Sequence, residues 1–187
     1  MKTTLLRRSP ASTERGLTLI ELVISLSIAA VLMVGSYFGY NMMHTAKGQN
    51  TTRLLTQAGT CARTSFTGNP SFAGVTNVEL ANAGCFPDGN VERADDGAVT
   101  VTDSSGHAIA VAAANGPGGA NTMLSFTLAG GMNRAVCTQI ANGLLPSAAA
   151  LMVHTSAVKT AVGAVTRANI AVGCAQADNT ITYSILK

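Results

Sequence analysis

Among the side chains of this sequence that could do chemistry, Glu21 has the setting that most needs explaining. It lies near the start of Gly16 to Tyr40, GLTLIELVISLSIAAVLMVGSYFGY, where from Leu22 onward the only polar side chains are Ser25, Ser27, Ser36 and the hydroxyls of Tyr37 and Tyr40. A helix of about 20 such residues is long enough to cross a bilayer. A carboxylate at the centre of such a span costs about 2.5–3.5 kcal/mol on insertion scales, less near the edge, and calls for a partner.

The other reactive residue types form no catalytic pattern. His44, His107 and His154 are scattered, and Asp103-Ser104-Ser105-Gly106-His107 reads as a hairpin turn in preference to a triad fragment. No phosphate loop, dinucleotide fingerprint or metal spacing is present, so neither an enzyme nor a cofactor is expected. Asp88, Asp95 and Asp96 share a loop where calcium could touch them, but solvated loop acids are the simpler reading.

Four cysteines, Cys61, Cys85, Cys137 and Cys174, follow the apolar segment; none is in a CxxC and no histidine cluster accompanies them. An even number on an exported side argues for two disulfides. Three pairings are open. Cys61 with Cys85 and Cys137 with Cys174 is preferred, because each closes a local stretch with little regular structure of its own.

The 187 residues suit one domain plus an appended segment. Charge is unevenly divided: residues 1–16 hold Lys2, Arg7, Arg8 and Arg15 against Glu14, while the remainder has eight basic and eight acidic side chains. The basic balance therefore belongs to the leader, which speaks against nucleic acid as a partner. By the positive-inside rule the leader stays cytoplasmic and everything after Tyr40 is exported. A secretory signal cut near Ser36, releasing a soluble secreted disulfide-bonded domain, is the competing reading, and it leaves Glu21 unexplained.

The elements that must position these residues begin with one long helix. No proline occurs between Pro10 and Pro70, and after Tyr40 the apolar residues Leu54, Leu55, Ala58 and Ala62 recur at helical spacing among polar ones. A single helix from Leu17 to about Ser65, about 75 Å long, is expected. Gly35, Gly39, Gly48 and Gly59 are its expected soft points, and Gly35-x-x-x-Gly39 also fits close helix approach in membranes. From Thr67 to Gly97 the texture is that of a surface loop with one short helix near Val78 to Ala83. Strands are expected at Ala98–Thr102, His107–Ala114 and Thr122–Ala129 as an antiparallel meander, with Leu124, Phe126 and Leu128 facing the long helix. A short helix over Asn133–Asn142, capped by Asn133 and ended by Gly143, should follow. Leu145 to Val165 is ambiguous apart from a strand near Leu151–Thr155, and Thr180–Leu186 alternates as a strand of the same sheet. The fold class is α+β: a long N-terminal α-helix whose C-terminal half packs on an antiparallel β-sheet head.

Gly16, then Leu17-Thr18-Leu19-Ile20-Glu21-Leu22 and an apolar helix after a short basic leader, resembles the class III signal of type IV prepilins. The resemblance implies cleavage after Gly16 by a prepilin peptidase, N-methylation of Leu17, and a role for Glu21, the fifth residue of the processed chain, in assembly. It implies a pilin fold and a homo-oligomer, a helical filament drawn from the inner membrane onto the bacterial surface as an extracellular pilus. The implied divisions are a cleaved leader over 1–16, a membrane and filament-core half of the helix over 17–40, an amphipathic half over 41–66, and a head over 67–187. The Cys137–Cys174 pair resembles the disulfide bounding the variable C-terminal region of pilins. The long leader and non-Phe Leu17 make the chain similar to type IVb pilins, including PilS-type thin-pilus subunits of conjugative systems. Where many pilins of the other subclass have a proline in the helix, this sequence has Phe38 and glycines. Adhesion, aggregation or conjugative contact with a host or recipient-cell surface ligand are the implied roles, a minor pilin, adhesin or type II secretion pseudopilin the alternatives.

Overall fold

The computed structural model describes residues 18–187 of the chain. Helix α1 runs without a break over Leu19–Ser65. The chain divides into two units after Tyr40, the second extending from Asn41 to Lys187.

In the first unit α1 is apolar all round and its described side chains are largely exposed: Leu19 is 82% and Met33 74% exposed. The hydroxyls of Ser25, Ser27 and Ser36 donate to the carbonyls of Glu21, Val23 and Leu32 at 2.7–2.8 Å, one turn back. Their polarity is thus consumed within the helix, as a lipid-facing segment requires.

In the second unit α1 supplies Leu54, Leu55, Ala58 and Ala62 to a core that the sheet completes. Helix α2 (Asn77–Asn82) is followed by a 3-10 turn at Asp88–Asn90, then strands β1 (Val91–Arg93), β2 (Val99–Thr102), β3 (Ala108–Gly116) and β4 (Gly119–Leu128). After these come α3 (Arg134–Leu144), β5 (Ala150–Val153), β6 (Ser156–Lys159), α4 (Ala168–Gly173) and β7 (Ile181–Leu186). The seven strands form one sheet in the order β1-β2-β3-β4-β7-β5-β6, every pair antiparallel. The first four make the meander. The last strand inserts between β4 and β5, so the chain's end lies mid-sheet.

Strand alternation decides which side is core. Leu124, Phe126 and Leu128 of β4 and Ile181, Tyr183 and Ile185 of β7 are buried on one face, with the Phe126 and Tyr183 rings 5.9 Å apart. The opposite face carries small hydroxyls that pair across the strands, Ser125 with Ser184 at 2.8 Å and Thr127 with Thr182 at 3.3 Å. Cys61–Cys85 and Cys137–Cys174 are disulfides, tying α1 to the segment after α2 and α3 to α4.

Several elements differ from the sequence reading. Gly143 does not end α3: the helix continues to Leu144, and a Cβ at Gly143 would lie 2.8 Å from Thr52 Cγ2. Glycine here lets α3 approach α1. Gly48 and Gly59 likewise serve packing; a Cβ would stand 2.9 Å from Gln139 Oε1 at the first and 3.3 Å from the Tyr183 hydroxyl at the second. The stretch after Ser65 is not only surface loop, because Phe72, Val75, Leu80 and Phe86 enter the core and the segment ends in β1. The ambiguous Ala-rich region forms two strands, β5 and β6, which turn at His154 (φ 54°) and Thr155.

Asp103 is spent within the fold. This residue of the β2–β3 turn is buried; its carboxylate accepts the backbone N–H groups of Ser105 and His107 at 2.8 Å and the Thr51 hydroxyl at 2.9 Å. His107 Nδ1 lies 3.3 Å away. A carboxylate spent in this way is a structural fastener between hairpin and helix, with no acceptor capacity turned outward.

Candidate assembly site at the start of the apolar helix

Glu21 sits in the first turn of α1, and its carboxylate is held from its own side of the helix. Oε2 accepts the Thr18 backbone N–H at 3.0 Å and stands 3.0 Å from the Thr18 hydroxyl, while the Glu21 N–H donates to that hydroxyl at 3.3 Å. This reciprocal arrangement is a capping box, which satisfies donors that a helix start leaves without partners. An acid there also lies at the positive end of the helix dipole. Sequence reasoning singled out Glu21 but passed over Thr18. The Thr18-x-x-Glu21 spacing just before an apolar run was the available signal.

Gly16 and Leu17, the residues expected at cleavage and N-methylation, lie outside the described residues. From Leu22 to Tyr40 no Asp, Glu, Lys, Arg or His interrupts the helix, which is long and apolar enough to cross a membrane. Glu21 is thus one fixed charge at the boundary of a span otherwise suited to lipid or to the packed apolar interior of an assembly.

The remaining candidates do not converge. Cys61, Cys85, Cys137 and Cys174 are all in disulfides. Among the described residues no group of three potential metal-ligating side chains is brought together. His154 Nδ1 is 3.4 Å from Asp178 Oδ1, on a different part of the sheet from His107. His44 borders a small recess with Lys47, Ser105 and His107, where Asp103 is already engaged with the backbone.

Two family profiles match the sequence: one described as "Prokaryotic N-terminal methylation motif" over residues 11–37, and one described as "PilS N terminal" over residues 44–186. Comparison with curated proteins gives no match. Among solved structures, the fold is similar to the crystal structure of a type IV b pilin from Salmonella typhi, with a TM-score of 0.56 at 17% identity, over 76% of this chain and 99% of that one. A second similar structure is TcpA, a type IV pilin from the Vibrio cholerae El Tor biotype, at a TM-score of 0.47 and 12% identity, over 78% of this chain and 98% of that one.

Proposed function

Since this chain belongs to the PilS family of type IV pilins, structural subunits and not enzymes, we propose that it is cut after Gly16, methylated at Leu17 and assembled through its apolar helix into a helical surface filament. In this reading 1–16 is the removed leader, 17–40 the membrane and filament-core half of the helix, 41–66 its amphipathic half and 67–187 the head. The inner membrane holds the subunit before assembly, and the processing partner is a prepilin peptidase.

The observation that carries the mechanism is the single carboxylate of Glu21 at the boundary of an uncharged span. Before cleavage residue 17 is an amide within the chain and offers Glu21 no fixed cation to meet; among the described residues its carboxylate is held by Thr18. Cleavage creates an α-amine at Leu17 with a pKa of about 8, largely protonated at neutral pH, and methylation keeps that charge. In a stack of staggered helices Glu21 of an incoming subunit pairs with the Leu17 amine of a neighbour. Such a buried pair adds little net stability but penalises a wrong axial register, because a slip leaves both charges alone. The filament then serves adhesion, aggregation or conjugative contact at a host or recipient-cell surface.

Intact mass and N-terminal sequencing of protein sheared from the cell surface test the reading. The expected product starts at methylated Leu17, and Glu21→Val should leave a processed, membrane-held pool with few filaments. A product starting near Tyr37 in the medium, or abundant normal filaments from Glu21→Val, would sink it.

A further inference from the structure

Charge in the unit from Asn41 onward is sorted by element. The part of α1 from Asn41 to Ser65 carries Lys47, Arg53 and Arg63 and no acid, whereas Glu79 to Asp96 carries five acids against Arg93. Three of those acids lie on β1 and its turn into β2: Glu92, Asp95 and Asp96 are all exposed. Asp96 Oδ1 accepts the Ala98 N–H at 2.9 Å, and the Ala94 N–H donates to the Ala98 carbonyl at 2.9 Å, so the turn is held in shape. β1 is one of the two edge strands of the sheet.

The α1 side offers the complementary chemistry. Where α3 lies beside α1, a groove of about 480 Å³ is lined by Arg53 with Gln49, Gln57 and Gln139. A recess of about 170 Å³ further back along α1 is lined by Lys47 with His44, Ser105 and His107. Neither has a carboxylate in its lining, and guanidinium, ammonium and side-chain amide groups supply the donors that carboxylates accept best.

The acidic strand is the sheet's outer edge beyond β2, whereas α3 packs on β5 and β7 toward the other end. In one copy the Arg53 groove, walled by Gln139 and Gly143 of α3, and the β1–β2 turn therefore lie toward opposite ends of the sheet. We propose that the β1–β2 hairpin of a second copy docks on the α1–α3 face, with Asp95 and Asp96 meeting Arg53 and Lys47. A contact between two different patches of identical chains is heterologous, and repetition of it generates an open helical array instead of a closed dimer. Electrostatic complementarity of this kind fixes register and partner choice more than raw affinity. The inference rests on the pilus-subunit reading and names the head contact that accompanies helix stacking.

The test uses cells producing the full chain, with filament yield read from sheared surface material and the processed pool read from membranes. Reversal of the basic face (Lys47→Glu with Arg53→Glu) or of the hairpin (Asp95→Lys with Asp96→Lys) should each lower filament yield at least tenfold while the processed, disulfide-bonded pool persists. All four changes in one chain should restore yield to within threefold of wild type. Normal yield from either reversed chain, or an intact pool without recovery in the fourfold variant, would overturn the proposal. Should a reversal deplete the pool, the neutral pairs Arg53→Gln with Lys47→Gln and Asp95→Asn with Asp96→Asn replace it; at least a threefold loss is expected, and no loss refutes the contact. Failure of the parent reading is distinguishable, because then wild type itself yields no filaments that contain this chain.

Discussion

The Thr51 hydroxyl of α1 donates to Asp103 Oδ2 across 2.9 Å, and neither residue is more than 4% exposed. The other carboxylate oxygen takes the Ser105 and His107 N–H groups, so one side chain fixes both the hairpin turn and its seat on the helix. Removing it leaves a buried hydroxyl and two turn amides without their acceptor. Asp103→Ala should therefore cost about 3 kcal/mol, and Thr51→Val, which removes one donor, about 1 kcal/mol. Thermal unfolding of the full chain in detergent measures both. Equal losses would mean that the carboxylate acts through Thr51 alone.

Glu21 has two candidate duties, capping its own helix and carrying a charge, and Glu21→Gln separates them. Glutamine retains an acceptor oxygen for the Thr18 N–H and remains a capping-box residue. It has no charge to offer a neighbouring amine. If pairing drives assembly, Glu21→Gln should be processed normally, keep a helical start, and still give few filaments. Wild-type filament yield from this variant would assign Glu21 a capping role only.

How much of this was legible in the sequence depended on how loudly each element announced itself. α1 was legible because proline is absent from the whole of it, and β4 and β7 because Leu124, Phe126 and Leu128, and Ile181, Tyr183 and Ile185, alternate without interruption. β1 was not, since three residues reading Val-Glu-Arg have no periodicity of their own and pair only because β2 lies beside them. α4 is six residues long with no side-chain cap at Arg167, and its place comes from the Cys137–Cys174 bridge and from packing on β6. Gly143 read as a helix stop because glycine usually is one; that Thr52 would crowd any larger residue is a tertiary fact with no local trace. At the candidate site Glu21 was conspicuous as a charge in an apolar run. Thr18 was overlooked because a threonine there looks like one more tolerated polar residue.

Two helix glycines should rank by what obstructs an added methyl group. At Gly173 a Cβ would meet the Val153 carbonyl oxygen at 2.5 Å, which is backbone of β5 and cannot turn aside. At Gly143 the obstacle is the Thr52 side chain, which can rotate. Gly173→Ala should cost about 3 kcal/mol and Gly143→Ala about 1 kcal/mol, the two ends of the range for overpacking. Calorimetry of the two variants in detergent checks the order, and a reversed order would mean that β5 yields more readily than α1.

Acid should loosen α2 first. Thr76 caps this helix and Glu79 completes a capping box, with hydrogen bonds from the Thr76 hydroxyl and then from backbone N–H groups holding the Glu79 carboxyl below its ordinary value of 4.5. A carboxyl depressed in the folded state stabilises it fully above that ordinary value and loses the effect as pH falls through the lowered one. Amide exchange across Asn77–Asn82 should therefore accelerate below about pH 4.5, modestly because Glu79 is exposed. Glu79→Gln should flatten that dependence. An unchanged acid profile in the variant would place the sensitivity elsewhere.

The two disulfides should differ in worth for a reason beyond loop length. Cys61–Cys85 closes a sequence separation of 24 residues and Cys137–Cys174 one of 37, which by loop entropy gives about 3.5 and about 4 kcal/mol, a small difference. Burial widens it. Cys61 is only half-buried beside a buried Cys85 (5% exposed), whereas Cys137 and Cys174 are both buried, 0% and 1% exposed, in the core where α3 meets α4. Replacing both partners by alanine therefore removes mainly a constraint on the unfolded chain at Cys61–Cys85, but at Cys137–Cys174 also opens space between two helices. The Cys137→Ala, Cys174→Ala chain should be the less stable of the two by at least 1 kcal/mol in denaturant unfolding, with intact mass establishing that the other bridge is formed. Equal stabilities would mean that α3 and α4 close over the vacated sulfur positions, leaving chain entropy as the whole effect.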